Sequence, residues 1–173
     1  ISNEDLYKIK SIKHKDFKAK SISALYEIKK GHNGLEEALE NIVDEVENFV
    51  DLGNNIIIIS DRNIKPTHAP IPVLLVCSYV HQSMIRRNKR SKFGIIIESA
   101  EPREPHHFSM LFGYGASAIN PYLVNEIISY HHAEGKFGNT TVEKSILNYN
   151  KAIANGVLKI MNKIGISTLN SYR

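Results

Sequence analysis

The chain has 173 residues, of which 42% are hydrophobic and 23% charged, as in folded globular domains and unlike disordered or fibrous chains. Its net charge is +4, and no apolar run approaches the roughly 20 residues that a membrane helix needs, so we expect no membrane contact. The single cysteine, Cys77, excludes an internal disulfide, and its apolar neighbours predict a buried side chain.

The N-terminal part predicts a short helix, a strand-like stretch around residues 22–26 and a polar turn at 31–34. A long amphipathic helix then follows over 35–50, because apolar residues recur at helical spacing with acidic residues between them. Asn33 is a candidate N-cap for this helix, and Gly53 is a candidate C-terminal stop.

The remainder alternates between predicted strands and helices. The strands are predicted at 56–60, 93–98, 116–120 and 166–169, and the helices at 73–88, 106–112, 121–130 and 142–163, with loops at 61–72 and 131–140. The first two strands are continuously apolar, which is typical of strands buried on both faces of a parallel sheet. We therefore predict an α/β protein with a partial (β/α) barrel-like parallel sheet and crossover helices.

Polar side chains follow these strands where each one ends. Asp61 and Arg62 follow the first strand, Glu98 ends the second with Arg103 in its loop, and Asn120 ends the third. In parallel βα folds such groups meet at the carboxyl edge of the sheet. They form either an active-site rim or an ion-pair network that fixes loops or docks a neighbouring domain. The second interpretation is favoured, because no nucleophile or base accompanies them.

Two further patterns have ordinary explanations. His106 and His107 are neighbours on a predicted helix and point about 100° apart, so they do not suit one metal ion; we expect one to be buried and hydrogen-bonded. A basic run lies near the end of the helix predicted at 73–88, where cations complement exposed carbonyl groups. It consists of Arg86, Arg87, Lys89, Arg90 and Lys92. We expect a solvated face here and no nucleic acid.

Several motifs, in order along the chain, together resemble one family. They are IIIISDR at 56–62, HAPIP at 68–72, ESAEPREPHHF at 98–108, GYGASAINPYL at 113–123 and GVLKIMNKIGISTLNSYR at 156–173. This series is similar to the central domain of glutamate synthase. The resemblance covers residues 35–173, which we expect to be part of that domain, whereas residues 1–34 match it only loosely.

The resemblance implies a larger parent enzyme, an oxidoreductase that makes glutamate from glutamine and 2-oxoglutarate. It implies an amidotransferase domain that releases ammonia, an FMN-binding barrel with an iron–sulfur cluster, and a central domain connecting the two. The electron donor (NADPH, NADH or ferredoxin) and any small subunit stay open. The expected compartment is the cytoplasm, or a plastid in a eukaryote.

For this segment the resemblance implies a structural, linking role with no catalytic, cofactor or metal residues of its own. The domain-interface candidates are Asp61, Arg62, His68, Glu98, Arg103, His106, His107 and Asn120. Two alternatives remain: a stand-alone α/β enzyme with a pocket lined by Glu98 and Asn120, and an interaction module that uses the basic run.

Overall fold

The computed structural model describes residues 1–172. The α-helices are α1 (Asn3–Lys10), α2 (Gly31–Asp51), α3 (Val73–Arg86), α4 (Pro105–Gly113), α5 (Tyr122–Ala133) and α6 (Val142–Lys163). The strands are β1 (Ala19–Ser23), β2 (Leu25–Glu27), β3 (Ile56–Ser60), β4 (His68–Pro70), β5 (Gly94–Glu98) and β6 (Ala118–Asn120). Short 3-10 helices occupy Ile28–Lys30, Arg90–Lys92 and Leu169–Tyr172. None of the helices in this part of the chain combines the length and apolar character needed to cross a bilayer.

The main sheet has four parallel strands in the order β1-β3-β5-β6. Ile57 on β3 lies opposite Lys20 on one side and Ile95 on the other, and Ile97 lies opposite Ile119. Going along the chain, each new strand of this sheet therefore lies beside the previous one, and the sheet grows in one direction. The predicted α/β class with crossover helices is confirmed, and these four strands form an open sheet within residues 1–172.

Helices α2, α3, α4 and α6 share one core with one face of this sheet. Ile57 and Ile59 point into this core from β3, and Ile97 from β5. The other face packs on α1, where Leu6 meets Ile58 and Ile96. The three crossover helices, α2, α3 and α4, all lie on one face, as in a (β/α) barrel, whereas a doubly wound sheet has crossover helices on both faces. The run of isoleucines in β3 is buried on both faces, as predicted.

A small second sheet pairs β2 with β4 in antiparallel fashion, with Glu27 opposite His68. The chain leaves the main sheet at Ala24, whose backbone N–H donates to Ser60 O at 2.7 Å and whose carbonyl accepts from Ile71 N at 2.8 Å. The predicted strand around 22–26 is therefore two strands in two sheets. The predicted loop at 61–72 contains β4, which is short and ends in proline.

Two local predictions are wrong. Residues 166–169 do not form a strand, because Ile166 N–H bonds back to Met161 O at the end of α6 and the chain then turns into the 3-10 helix Leu169–Tyr172. Asn33 is not the N-cap of α2, because the preceding 3-10 helix leads directly into α2 and Lys30 takes the cap position. By contrast, Gly53 does follow the end of α2 with φ of 84°, a left-handed conformation that glycine adopts without strain.

Candidate domain-contact site at the carboxyl edge of the sheet

The polar residues that follow β3, β5 and β6 meet at one edge of the sheet. Ser60 is opposite Glu98 in the register of β3 and β5, and Glu98 is opposite Asn120 in the register of β5 and β6. Asp61 and Arg62 extend directly from the end of β3. The structure therefore brings together Asp61, Arg62, Glu98 and Asn120, as the alternation of strands and helices suggested.

Glu98 is the central charge of this edge, with a side chain only 3% exposed. Lys10 Nζ from α1 lies 2.7 Å from its Oε2, and Arg62 Nε lies 2.9 Å from its Oε1. Burial disfavours ionisation of this carboxyl, but the hydrogen bonds from Lys10, Ser60 and Arg62 outweigh burial and leave the pKa of Glu98 below its ordinary value. The carboxylate is therefore ionised and held by two cations at neutral pH.

Arg62 links Glu98 to α5. Its Nη2 lies 2.9 Å from Glu126 Oε1, and its guanidinium stacks over the Tyr122 ring at 3.9 Å. Burial, followed by a hydrogen bond to Asp61, raises the pKa of the Tyr122 hydroxyl. A planar guanidinium can bridge two carboxylates and an aromatic face at once, which fixes the start of α5 against the sheet.

Asp61 is buried and fixes the loop that follows β5. Ser99 Oγ donates to Asp61 Oδ2 at 2.5 Å, and the backbone N–H of Ala100 donates to the same oxygen at 3.1 Å. The adjacent Glu101 carboxylate accepts from the N–H of Val73, the first residue of α3, at 2.9 Å. These acceptor bonds satisfy loop donors, so Asp61 acts here as a structural carboxylate.

Asn120 joins β6 to the N-terminal helix. Its Nδ2 donates to Asn3 Oδ1 at 2.9 Å, and Asn125 Nδ2 donates to the same oxygen at 3.0 Å. Within residues 1–172, the buried Oδ1 atoms of Asn120 and Asn125 have no hydrogen-bond partner. A cavity of about 200 Å³ lies between α1 and this edge, lined by Lys10, Glu98 and Asn120 among others.

The arrangement supports positioning better than catalysis. Its carboxylates are held by cations or loop donors, whereas a general base needs a pKa near the working pH and access to a substrate proton. In the described part of the chain, no group of three His, Cys, Asp or Glu side chains is placed to hold a metal ion. Cys77 is a residue of α3 and is buried in the core, as predicted.

The other predicted residues lie apart from this ion-pair network. His68 is on β4, half-buried, with its ring 2.9 Å from Thr67 Oγ1. Arg103 is exposed in the loop before α4. His106 and His107 are also exposed, so the expectation that one would be buried is wrong; His107 Nδ1 instead accepts from the backbone of Arg103 and closes the first turn of α4.

Two residues of the basic run, Arg87 and Lys89, pair with the acidic side of α2. Arg87 bonds Asp44 at 2.8 Å and also Glu47, and Lys89 bonds Glu47 and Asp51, each at 2.6 Å. The acidic helix and the basic helix end, which are far apart in sequence, thus pair across the helix layer. These two cations serve packing of α3 on α2.

Sequence reasoning missed three members of the edge: Asn3, Lys10 and Glu126. Asn3, Leu6 and Lys10 follow a helical spacing that places them on one side of α1, and this spacing was the available signal. The partners of that side could not be read from the sequence, because Lys10 and Glu98 are separated by 88 positions.

The fold and this edge define a singly wound (β/α) module whose polar edge is closed by its own ion pairs and hydrogen bonds. The chain belongs to the family described as "Glutamate synthase central domain", whose model matches residues 1–173.

Curated relatives agree with this assignment. The chain is 40% identical over 173 residues to the glutamate synthase [NADPH] large chain of Bacillus subtilis strain 168, a match that covers 100% of this chain and 11% of the relative. It is 39% identical over 155 residues to the protein of the same name from Azospirillum brasilense, a match that covers 90% of this chain and 10% of that relative. It is 35% identical over 174 residues to the ferredoxin-dependent glutamate synthase 1, chloroplastic/mitochondrial, of Arabidopsis thaliana. This match covers 93% of this chain and 11% of that relative. The chain thus spans about a tenth of the length of these relatives.

Proposed function

We propose that this chain is a linking domain of a glutamate synthase, which makes glutamate from glutamine and 2-oxoglutarate. The parent is an oxidoreductase, and this segment holds its neighbouring domains in place without performing a chemical step. Family membership and the small share of each relative that the chain covers support this proposal.

The observation that carries the linking role is the state of the carboxyl edge. In enzymes built on parallel βα folds this edge holds the reactive groups. Here Glu98 is shared by Lys10 and Arg62, and Asp61 is committed to Ser99 and Ala100. Such an edge is suited to present a fixed surface. We propose that the loops at this edge, with His68, Arg103, His106 and His107 at or near them, contact neighbouring domains, while the buried Asp61, Glu98 and Asn120 hold the loops in place.

The proposed partners are the amidotransferase and FMN-binding domains of the same parent chain, with a small subunit or ferredoxin as electron source. An iron–sulfur cluster needs several cysteines, and the only one in this chain, Cys77, is buried, so these residues do not fit the cluster. We assign the cluster and FMN to other parts of the parent. The compartment is the cytoplasm, or a plastid in a eukaryotic source, because one relative is named chloroplastic.

A charge reversal at the exposed Arg103 tests the linking role without disturbing the core. Asp61 is less suitable because it is buried. In the full-length parent, Arg103→Glu should raise the ratio of glutamine hydrolysis to glutamate formation by roughly fivefold or more, the lower end of ordinary coupling between sites. Both rates are measured on the same preparation.

The matched control is Arg86→Glu, an exposed arginine near the end of α3, at the opposite edge of the sheet. It should leave the ratio unchanged. Equal ratios in both variants and the wild type, with unchanged thermal stability, would remove Arg103 from the domain contact.

A further inference from the structure

The loop that joins α1 to β1, residues 11–18, carries a cluster of lysines on the surface. Lys13, Lys15 and Lys18 lie in it with a single acid, Asp16. Every residue of this α1–β1 loop is exposed. Within residues 1–172, none of the three ammonium groups forms a salt bridge. The loop thus differs from the basic run near α3, of which two cations are neutralised by α2.

The second half of the α1–β1 loop is held in a fixed shape by Asn55, the residue before β3. The N–H of Lys18 donates to Asn55 Oδ1 at 3.1 Å, and Asn55 Nδ2 donates to the carbonyl of Asp16 at 2.6 Å. The N–H of Asn55 donates in turn to the carbonyl of Lys18 at 3.1 Å. His14 Nδ1 accepts from the N–H of Asp16 at 3.1 Å. Because the loop is already ordered, it loses little conformational entropy when it binds a partner.

Two apolar side chains are exposed among these lysines. Ile12 is 37% exposed and Phe17 is 49% exposed. The ring of Phe17 packs against the His14 ring, with the centroids 5.2 Å apart. Protein interfaces combine an apolar centre with a polar rim, which matches this arrangement. Nucleic acid fits less well, because the Asp16 carboxylate would lie among its phosphates.

The α1–β1 loop also reaches the edge of the sheet opposite the candidate domain-contact site. Residues 16–18 precede β1 and lie beside Asn55, at the amino edge of β1 and β3. Glu98 and Asn120 end their strands at the carboxyl edge. A partner bound at the loop would therefore hold this segment from the other side.

We propose that the α1–β1 loop docks on an acidic surface of a neighbouring domain of the parent chain. Carboxylates of that surface face the three lysines, and an apolar patch faces Ile12 and Phe17. This inference rests on the proposed linking function, and it adds a second contact and the chemistry of the partner. The chain covers about a tenth of its relatives, so a parent of that length has further domains to supply such a surface.

Carbodiimide cross-linking of the full-length parent tests the proposal, because this reagent joins a lysine amine to a carboxylate only where the two are in contact. Mass spectrometry should find Lys13, Lys15 or Lys18 joined to Asp or Glu outside residues 1–173. The double variant Lys13→Glu, Lys15→Glu should lower the yield of the cross-link that remains at Lys18 by about fivefold or more. The reversed charges repel an acidic partner, whereas both positions are exposed and outside the core.

The matched control is the double variant Lys151→Glu, Lys159→Glu. These are two exposed lysines of α6, which packs beside α4 in the helix layer, on the face of the sheet opposite α1. The control changes the net charge by the same amount and should leave the yield at Lys18 as in the wild type. An equal fall in both double variants would overturn the proposal, since net charge alone would then explain it.

The same cross-linking separates this proposal from the linking function. Cross-links from Lys65 or Glu104, near the carboxyl edge, to other domains with none from the α1–β1 loop would overturn the proposal and leave the linking function in place. Cross-links of the loop between isotopically light and heavy copies would show a second copy as the partner. Nucleic acid bound by the wild type in a salt-sensitive manner, and lost in Lys13→Glu, Lys15→Glu, would show that ligand. Either of these two results would also overturn the proposal.

Discussion

Replacing Lys10 by methionine should expose how much the buried pair with Glu98 stabilises the fold. Lys10 and Glu98 are 2.7 Å apart, with side chains 34% and 3% exposed. Breaking a fully buried pair costs about 3–5 kcal/mol, and an exposed pair about 0.2–1 kcal/mol. Because Glu98 keeps Arg62 and Lys10 is partly exposed, we expect a loss of about 2 kcal/mol in the free energy of unfolding at pH 7.

The pH dependence follows from the sign of the Glu98 shift. The folded-state pKa lies below the ordinary value of 4.5, so the stabilisation is fully present above pH 4.5 and is lost as the pH falls through the folded-state pKa. The difference between wild type and Lys10→Met should therefore shrink in acid. Urea unfolding followed by circular dichroism at pH 7 and pH 3 measures it.

The control is Lys8→Met, in the same last turn of α1. Lys8 is also 2.7 Å from a carboxylate, Glu4, but these side chains are 67% and 76% exposed. This substitution should leave stability nearly unchanged. Equal losses of unfolding free energy in the two variants, or a loss in Lys10→Met that persists in acid, would refute the argument that burial strengthens the pair of Lys10 and Glu98.

Two further predictions concern the packing of α4 against α6. Gly156→Ala should destabilise the fold by about 1–2 kcal/mol despite the better helix propensity of alanine, because its Cβ would be 2.5 Å from Pro105 Cγ; unchanged or raised stability in urea unfolding would contradict this. Burial raises the pKa of Tyr149 to about 12, and its hydroxyl donates to Arg103 O at 3.1 Å. At pH 11 the ultraviolet difference between wild type and Tyr149→Phe should therefore contain only about a tenth of a tyrosinate contribution, whereas a nearly full contribution would show an ordinary tyrosine there.

Much of the architecture could be predicted because it depends on local patterns. The run of isoleucines at 56–59 and the similar run in β5 indicated buried parallel strands, and polar residues after them indicated a common edge. The limits of α6 were predicted as the structure has them, because its apolar spacing is regular and Thr141 caps it.

The failures arose where distant partners decide the structure. Strand β1 belongs to the main sheet because it pairs with β3. Strand β4 forms because it pairs with β2, where Glu27 lies opposite His68 although 41 positions separate them in the sequence. The failure at residues 166–169 is local by contrast, because Ile166 N–H bonds back to Met161 O, five positions earlier, and holds this strand-like stretch in a turn. The partners of Glu98 likewise depend on where α1 docks.

The most direct test of the central proposal uses the full-length protein that contains this segment. The purified protein is examined for flavin absorbance and assayed for glutamate formed from glutamine and 2-oxoglutarate with a reductant. We predict bound flavin and glutamine-dependent glutamate formation, with this chain as the linking domain. A folded protein with neither flavin nor that activity would contradict the proposal and would make the cavity between Lys10, Glu98 and Asn120 the place to search for another activity.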